Sequence, residues 1–182
     1  MALPSGAAFG LHPFDPGVVP PALRLSGRVE RQDGRLSLIY HLEGPLQTLR
    51  LPPWAQAPGR RDELWTTTCF ECFLATGEQG PYWEVNLSPA GHWNLYRLED
   101  YRSGLRPESA CGTPSLQLDS GECRLTLRAA IPLPPALAAA TRLHLGVTAV
   151  IASAAGELSY WALAHPGPEP DFHRRDGFLL RL

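Results

Sequence analysis

Residues 64–102 read LWTTTCFECFLATGEQGPYWEVNLSPAGHWNLYRLEDYR, and this stretch decides the fold. It holds three of the five tryptophans, three of the five tyrosines and two of the four cysteines. Residues 82–87 (YWEVNL) alternate apolar and polar side chains, the period of a strand. Residues 64–74 are rich in Thr, aromatic and Cys side chains, which suit a pleated surface. Residues 93–97 follow after the turn Ser88-Pro89-Ala90-Gly91, so three strands are expected in succession. Period two then sorts their side chains into faces. Trp65, Thr67, Cys69, Glu71 and Phe73 share one side of the first strand; Tyr82, Glu84 and Asn86 share one side of the second. A hairpin of the two would bring Glu71 and Glu84 onto one surface, with Asn86 and Trp65 toward its end. A charge withdrawn from water is costly unless paired or neutralised, so carboxylates at strand centres mark a candidate site.

Outward from this stretch the β pattern continues. Residues 23–43 form two alternating runs joined at Gln32-Asp33-Gly34, a strong hairpin signal. Residues 44–63 read as a strand fragment plus loop anchored by Trp54. Residues 116–118 and 124–130 suggest another hairpin over Ser120-Gly121-Glu122. Residues 132–141 hold the one helix candidate, about two turns over 136–141, because two prolines cannot sit deep inside it. An apolar run at 143–153, a partner at 157–164 and a short closing strand complete the chain. About ten short strands with turn signals every ~8–12 residues, and at most one short helix, predict an all-β antiparallel sandwich. Residues 1–22, rich in Pro and Gly, are expected as an extended lead-in over the body, into which Phe9, Leu11 and Phe14 tuck. Residues 23–182 are expected as a single domain.

With 182 residues and 44% hydrophobic content the chain is long enough for one proper core. Its sixteen basic residues are all arginine, scattered and balanced by acids to a formal charge of -2, so no nucleic-acid-binding stripe is present. No secretion signal and no membrane-length apolar run is read, which places the expectation in the cytoplasm with free thiols. Cys69 and Cys72 form a C-x-x-C, but in a strand positions three apart point to opposite faces, which argues against a zinc knuckle. No serine elbow, P-loop or H-E-x-x-H occurs. Near the C-terminus His165, Asp171 and His173 stand in an H-x5-D-x-H spacing. Such a group binds metal or pins a loop through Asp hydrogen bonds, and pinning is the reading adopted; no metal site is assigned.

The segments LWTTTCFECFL, YWEVNLSPAGHWNLYRLEDYR, SYWALAHP and PDFH resemble bacterial DOMON-like domains, relatives of family 9 carbohydrate-binding modules. The resemblance runs from about Leu23 to Leu182. It implies a jelly-roll β-sandwich that binds a sugar or haem in a pocket on one sheet. The haem branch uses Met with His or Lys; this chain has Met1 alone and no lysine, so Met–His and Met–Lys ligation fall away, a bis-His site is the form left to a haem-binding alternative, and no cofactor is assigned. The sugar branch sits in secreted multidomain enzymes, from which this chain departs.

The reading drawn from these features is noncatalytic binding of a carbohydrate or similar small polar ligand. Trp65, Trp93 and Trp161 are the stacking candidates, because aromatic planes pack on the apolar face of a pyranose. Glu71, Glu84, Asn86 and Arg102 are the polar ones, since charged groups hydrogen-bond hydroxyls strongly. His165, Asp171 and His173 complete the candidate set. One alternative is an enzyme in which His165 or His173 works with Glu84 as acid and base. Another is a partner-binding domain whose aromatic face is a protein interface.

Overall fold

The computed structural model describes residues 5–20 and 22–182. Residues 1–4 and 21 of the expected lead-in, Met1 among them, lie outside the described residues. Twelve strands are found there: β1 (Ser5–Pro13), β2 (Arg24–Gln32), β3 (Arg35–Glu43), β4 (Cys69–Ala75), β5 (Tyr82–Leu87), β6 (Trp93–Leu98), β7 (Arg106–Pro107), β8 (Ser115–Ser120), β9 (Arg124–Pro132), β10 (His144–Ala152), β11 (Leu158–Ala162) and β12 (Leu180–Arg181). All pairings between them are antiparallel. The order is β7-β6-β5-β4-β10-β11-β1-β2-β3-β9-β8, with β12 on β10. The array folds over at β1, which pairs with β2 on one side and β11 on the other, and so closes an antiparallel β-sandwich.

The core lies between the two layers. Leu36, Leu38, Tyr40 and Leu42 of β3 meet Phe70, Cys72 and Leu74 of β4, and Val147 and Ala149 of β10. Each such side chain withdrawn from water contributes roughly 1.5–3 kcal/mol. Tyr40 crosses the interior, and its hydroxyl donates to the Glu71 main-chain carbonyl at 2.6 Å. That bond ties the second layer at the residue that matters most below.

The β2–β3 hairpin turns at Asp33 and Gly34 with φ of 48° and 73°, the left-handed pair a tight two-residue turn requires. The lead-in departs from expectation: Ser5–Pro13 of it is β1, a full strand. Its Ala and Gly residues have little strand preference, and pairing decides instead. Phe9 stands opposite Gly27, and a Cβ at Gly27 would come within 2.5 Å of its ring. Phe9 and Leu11 are buried, whereas Phe14 packs edge-on against His165. The helix is one turn, Pro135–Ala138, shorter and earlier than expected. Trp54 covers Gly91 yet stays 44% exposed, so it anchors the 44–63 segment from outside.

Residues 64–68 also differ from the expected strand. Leu64–Thr66 is a 3-10 turn, entered from Glu63 at φ 58°. The Thr66 hydroxyl donates back to the Glu63 carbonyl at 2.8 Å, and that of Thr68 donates to the Arg50 carbonyl at 2.8 Å. The Thr66 bond is local and competes with a ladder, the Thr68 bond ties the turn to the 44–63 segment, and the strand begins only at Cys69.

Candidate functional site

Strands β4 and β5 are buried along their whole length, so they are covered on both faces. The inner face is the core. The outer face carries Cys69, Glu71 and Phe73 of β4 beside Glu84 and Asn86 of β5. Glu71 stands opposite Asn86 on one neighbour and Thr148 on the other, while Phe73 stands opposite Glu84. The two carboxylates are therefore diagonal neighbours on one surface, not directly opposed. The inner and outer positions of Cys72 and Cys69 follow the same alternation, so the C-x-x-C points apart.

Above this surface lies a cavity of about 630 Å³, a size within the ~300–1,000 Å³ typical of small-molecule pockets. Glu71, Phe73 and Glu84 line its floor. The 3-10 turn supplies Trp65 and Thr66; β10 and β11 supply Val150, Leu158 and Tyr160. The loop after β6 contributes Arg102 and Leu105, and the C-terminal segment Pro170, Phe172 and His173. Phe172 packs edge-on between Phe73 and Tyr160, and Trp65 edge-on against Tyr96. The C-terminal segment is held in place by Arg175, whose guanidinium donates to the Gly77 carbonyl at 2.9 Å and lies 4.7 Å over the Tyr82 ring.

Glu71 and Glu84 are 2% and 5% exposed. Burial, and then the Glu84 charge, push the Glu71 carboxyl well above the usual carboxylate range. Burial pushes Glu84 up as well, against the opposing pull of the Asn86 amide and the Arg102 charge. Asn86 Nδ2 donates to Glu84 Oε1 at 2.9 Å, and Thr148 Oγ1 donates to Glu71 Oε2 at 3.4 Å. Glu71 Oε1 and Asn86 Oδ1 are buried with no hydrogen-bond partner. Buried polar atoms are satisfied in the great majority of cases, so these two acceptors call for a donor.

The cationic side of the cavity is organised by Asp171. Its carboxylate accepts from Arg102 Nη2 at 2.9 Å, from the Tyr101 hydroxyl and from the His173 amide at 3.0 Å. Burial works upward on Asp171, but these three donors hold its carboxyl below the usual range. His173 Nδ1 is 2.8 Å from the Tyr82 hydroxyl, which itself accepts from the Arg102 amide at 3.1 Å. The Tyr82 proton is thereby directed to Nδ1, which assigns the His173 proton to Nε2. Burial, then the Arg102 charge, lower the His173 pKa to about 4, so the ring is neutral near pH 7. Of the three non-glycine residues with positive φ among the described residues, Arg102 lines this cavity and Glu63 opens the 3-10 turn that supplies Trp65. Such backbone costs of order 1–3 kcal/mol and clusters where a site fixes its side chains.

The structure thus gathers Trp65, Glu71, Glu84, Arg102 and His173 around one cavity, with Asn86 beside the carboxylates and Asp171 behind Arg102. Three candidates fall elsewhere. Trp93 and Trp161 point into the core, because their strand positions place them on the inner face. The Trp93 ring lies under Arg60 at 4.5 Å, and Trp161 Nε1 donates to Ser159 Oγ at 3.0 Å. His165 donates from Nε2 to the His12 carbonyl at 2.9 Å and leaves the Asp171–His173 pair. The three residues of the H-x5-D-x-H spacing therefore do not act together: Asp171 ties its loop to Tyr101, Arg102 and the His173 amide, and His165 binds the His12 carbonyl. No group of three or more His, Cys, Asp or Glu able to hold a metal ion occurs among the described residues. The sequence reading passed over Tyr160 and Phe172 as wall residues. Alternation in β11 signals Tyr160, since it faces opposite to Trp161; the position of Phe172 has no local signal.

Fold and cavity together define a β-sandwich with a ligand-sized pocket on the outer face of one sheet. No family description matches the sequence, and no curated protein matches it. Solved structures do. A Bacteroides uniformis protein to which carbohydrate binding is ascribed superposes with a TM-score of 0.64 at 15% identity, over 92% of this chain and 83% of that one. A family 9 carbohydrate-binding module from Caldicellulosiruptor kristjanssonii, solved with cellotriose, superposes with a TM-score of 0.50 at 11% identity, over 80% of this chain and 68% of that one. At these identities the likeness is one of fold.

Proposed function

We propose that the chain is a noncatalytic carbohydrate-binding β-sandwich of the DOMON-like kind, and that the outer-face cavity is its sugar site. The observation that carries this reading is the unpartnered Glu71 Oε1, buried on the floor of a cavity walled by Trp65, Tyr160 and Phe172. Aromatic rings offer flat apolar surface to a pyranose, and a buried acceptor offers a strong bond to one of its donors. His173 Nε2–H and Arg102 extend the polar set on the opposite side. The carbohydrate binding ascribed to the Bacteroides uniformis protein and the cellotriose bound by the Caldicellulosiruptor kristjanssonii module support the same class.

Titration of the protein with a glycan panel that includes cellotriose tests the reading through tryptophan fluorescence. Trp65 lies in the wall, so binding shifts the emission, and Trp65→Phe removes most of that shift. A flat response to every glycan overturns the proposal.

A further inference from the structure

The two buried carboxylates have no cation of their own. Arg102 is the one permanent cation among the described residues lining the cavity, and its guanidinium is already bound by Asp171 at 2.9 Å. His173 is the other basic group there, and its Nδ1 is engaged by the Tyr82 hydroxyl. Glu84 receives the Asn86 amide, and Glu71 the Thr148 hydroxyl and the Cys69 thiol, all neutral donors. Buried carboxylates in proteins are paired or made neutral. This floor has no permanent cation to offset a charged carboxylate, so without ligand it is made neutral by protons, and the unpartnered Glu71 Oε1 marks where a ligand's donor belongs.

The walls suit the same kind of group. Trp65, Tyr160 and Phe172 line the cavity and Phe73 lies in its floor beside the carboxylates. Aromatic faces attract ammonium groups, by roughly 2 kcal/mol or more when the cation is desolvated. A sugar hydroxyl would bond Oε1 and leave the carboxyls protonated; an ammonium would bond Oε1 and also offset the charge of a carboxylate that gives up its proton.

We infer that the preferred ligand is an amine-bearing carbohydrate of the hexosamine type, its ammonium seated between Glu71 and Glu84 within the aromatic walls. The inference rests on the carbohydrate reading above and names the substituent that the site selects. The raised carboxyl pKa values agree with it: a site that holds a proton without ligand exchanges that proton for the ammonium on binding.

Three β-1,4-linked trimers that differ only at C2 test it: cellotriose, the fully N-acetylated glucosamine trimer and the free-amine glucosamine trimer. Isothermal titration is run at a pH where the free amines carry charge, in two buffers of different ionisation enthalpy. The glucosamine trimer is expected to bind about tenfold or more tighter than either neutral trimer, about 1.4 kcal/mol per tenfold, and to release protons that the neutral trimers do not. Glu71→Gln and Glu84→Gln should each erase the preference while keeping weak binding of cellotriose. If either variant fails to fold, proton release by the wild type still decides the matter. Equal or tighter binding of the neutral trimers, or a preference that survives both variants, overturns the amine assignment and leaves the carbohydrate reading in place. Failure of all three trimers to bind overturns both.

Discussion

The two faces of β4 and β5 are equally buried and chemically opposite. Inward, Phe70, Cys72, Leu74, Val85 and Leu87 join one continuous apolar core. Outward, the same backbone carries Glu71, Glu84 and Asn86 among Phe73, Tyr82 and Tyr96. The inner face is satisfied by its own contacts; the outer face leaves Glu71 Oε1 and Asn86 Oδ1 without donors. Burial alone therefore does not distinguish core from site. Unbalanced polarity does, and the C-terminal segment around Phe172 and His173 covers that face without satisfying it.

The comparison can be broken first on the inner face. Phe70→Ala should cost about 3–5 kcal/mol in urea unfolding with little direct effect on the cavity, because the lost ring lies on the core side. The outer face should behave in reverse. Glu71→Gln should weaken ligand binding about tenfold or more by calorimetry, about 1.4 kcal/mol, while shifting unfolding by less than ~1 kcal/mol. A Glu71→Gln variant that lost stability like Phe70→Ala would reclassify the outer face as a second core.

Smaller effects separate the two faces by pH. The folded pKa of His173, about 4, lies below the ordinary 6.5. Its contribution to stability is thus complete above pH 6.5 and is lost as pH falls toward about 4. Glu71 and Glu84 run the other way: their raised folded pKa values make stability decline as pH rises above the ordinary 4.5. His173→Asn, whose Oδ1 can replace Nδ1 as acceptor for Tyr82, should flatten the acid-side loss between pH 6.5 and 4 in a thermal-melt series. An unchanged acid limb would show that the loss belongs to other groups. The smallest effect expected is that of Thr148→Val, which removes the hydroxyl that donates to Glu71 Oε2. It should cost ~1 kcal/mol and raise the Glu71 pKa further, read by carboxyl infrared absorption.

Much of this contrast was legible in the sequence. The YWEVNL alternation placed Glu84 and Asn86 on one face, and β5 spans Tyr82–Leu87 as read. Glu71 and Glu84 were placed together for the same reason, although their register is diagonal. What local pattern could not supply was which strands are neighbours. β10 runs between β4 and β11, and only that adjacency sets Tyr160 over Val150 and brings both to the cavity. Trp161 attracted attention by its indole, yet one residue along a strand reverses the face. The threonines of residues 66–68 read as strand, but the Thr66 hydroxyl bonds back to Glu63 in the turn that presents Trp65, and the Thr68 hydroxyl reaches across to Arg50. β1 escaped notice because its sequence carries no strand preference and forms only by pairing on both sides. Phe172 and Arg102 come to the site through tertiary contacts that leave no periodic trace.

The most direct test of the central claim is a crystal structure of the protein with the tightest-binding trimer of the C2 series. A sugar ring is expected against Trp65 and Phe172, with a donor on C2 within hydrogen-bond distance of Glu71 Oε1. A trimer bound on another surface, with Glu71 Oε1 still unpartnered, would contradict it.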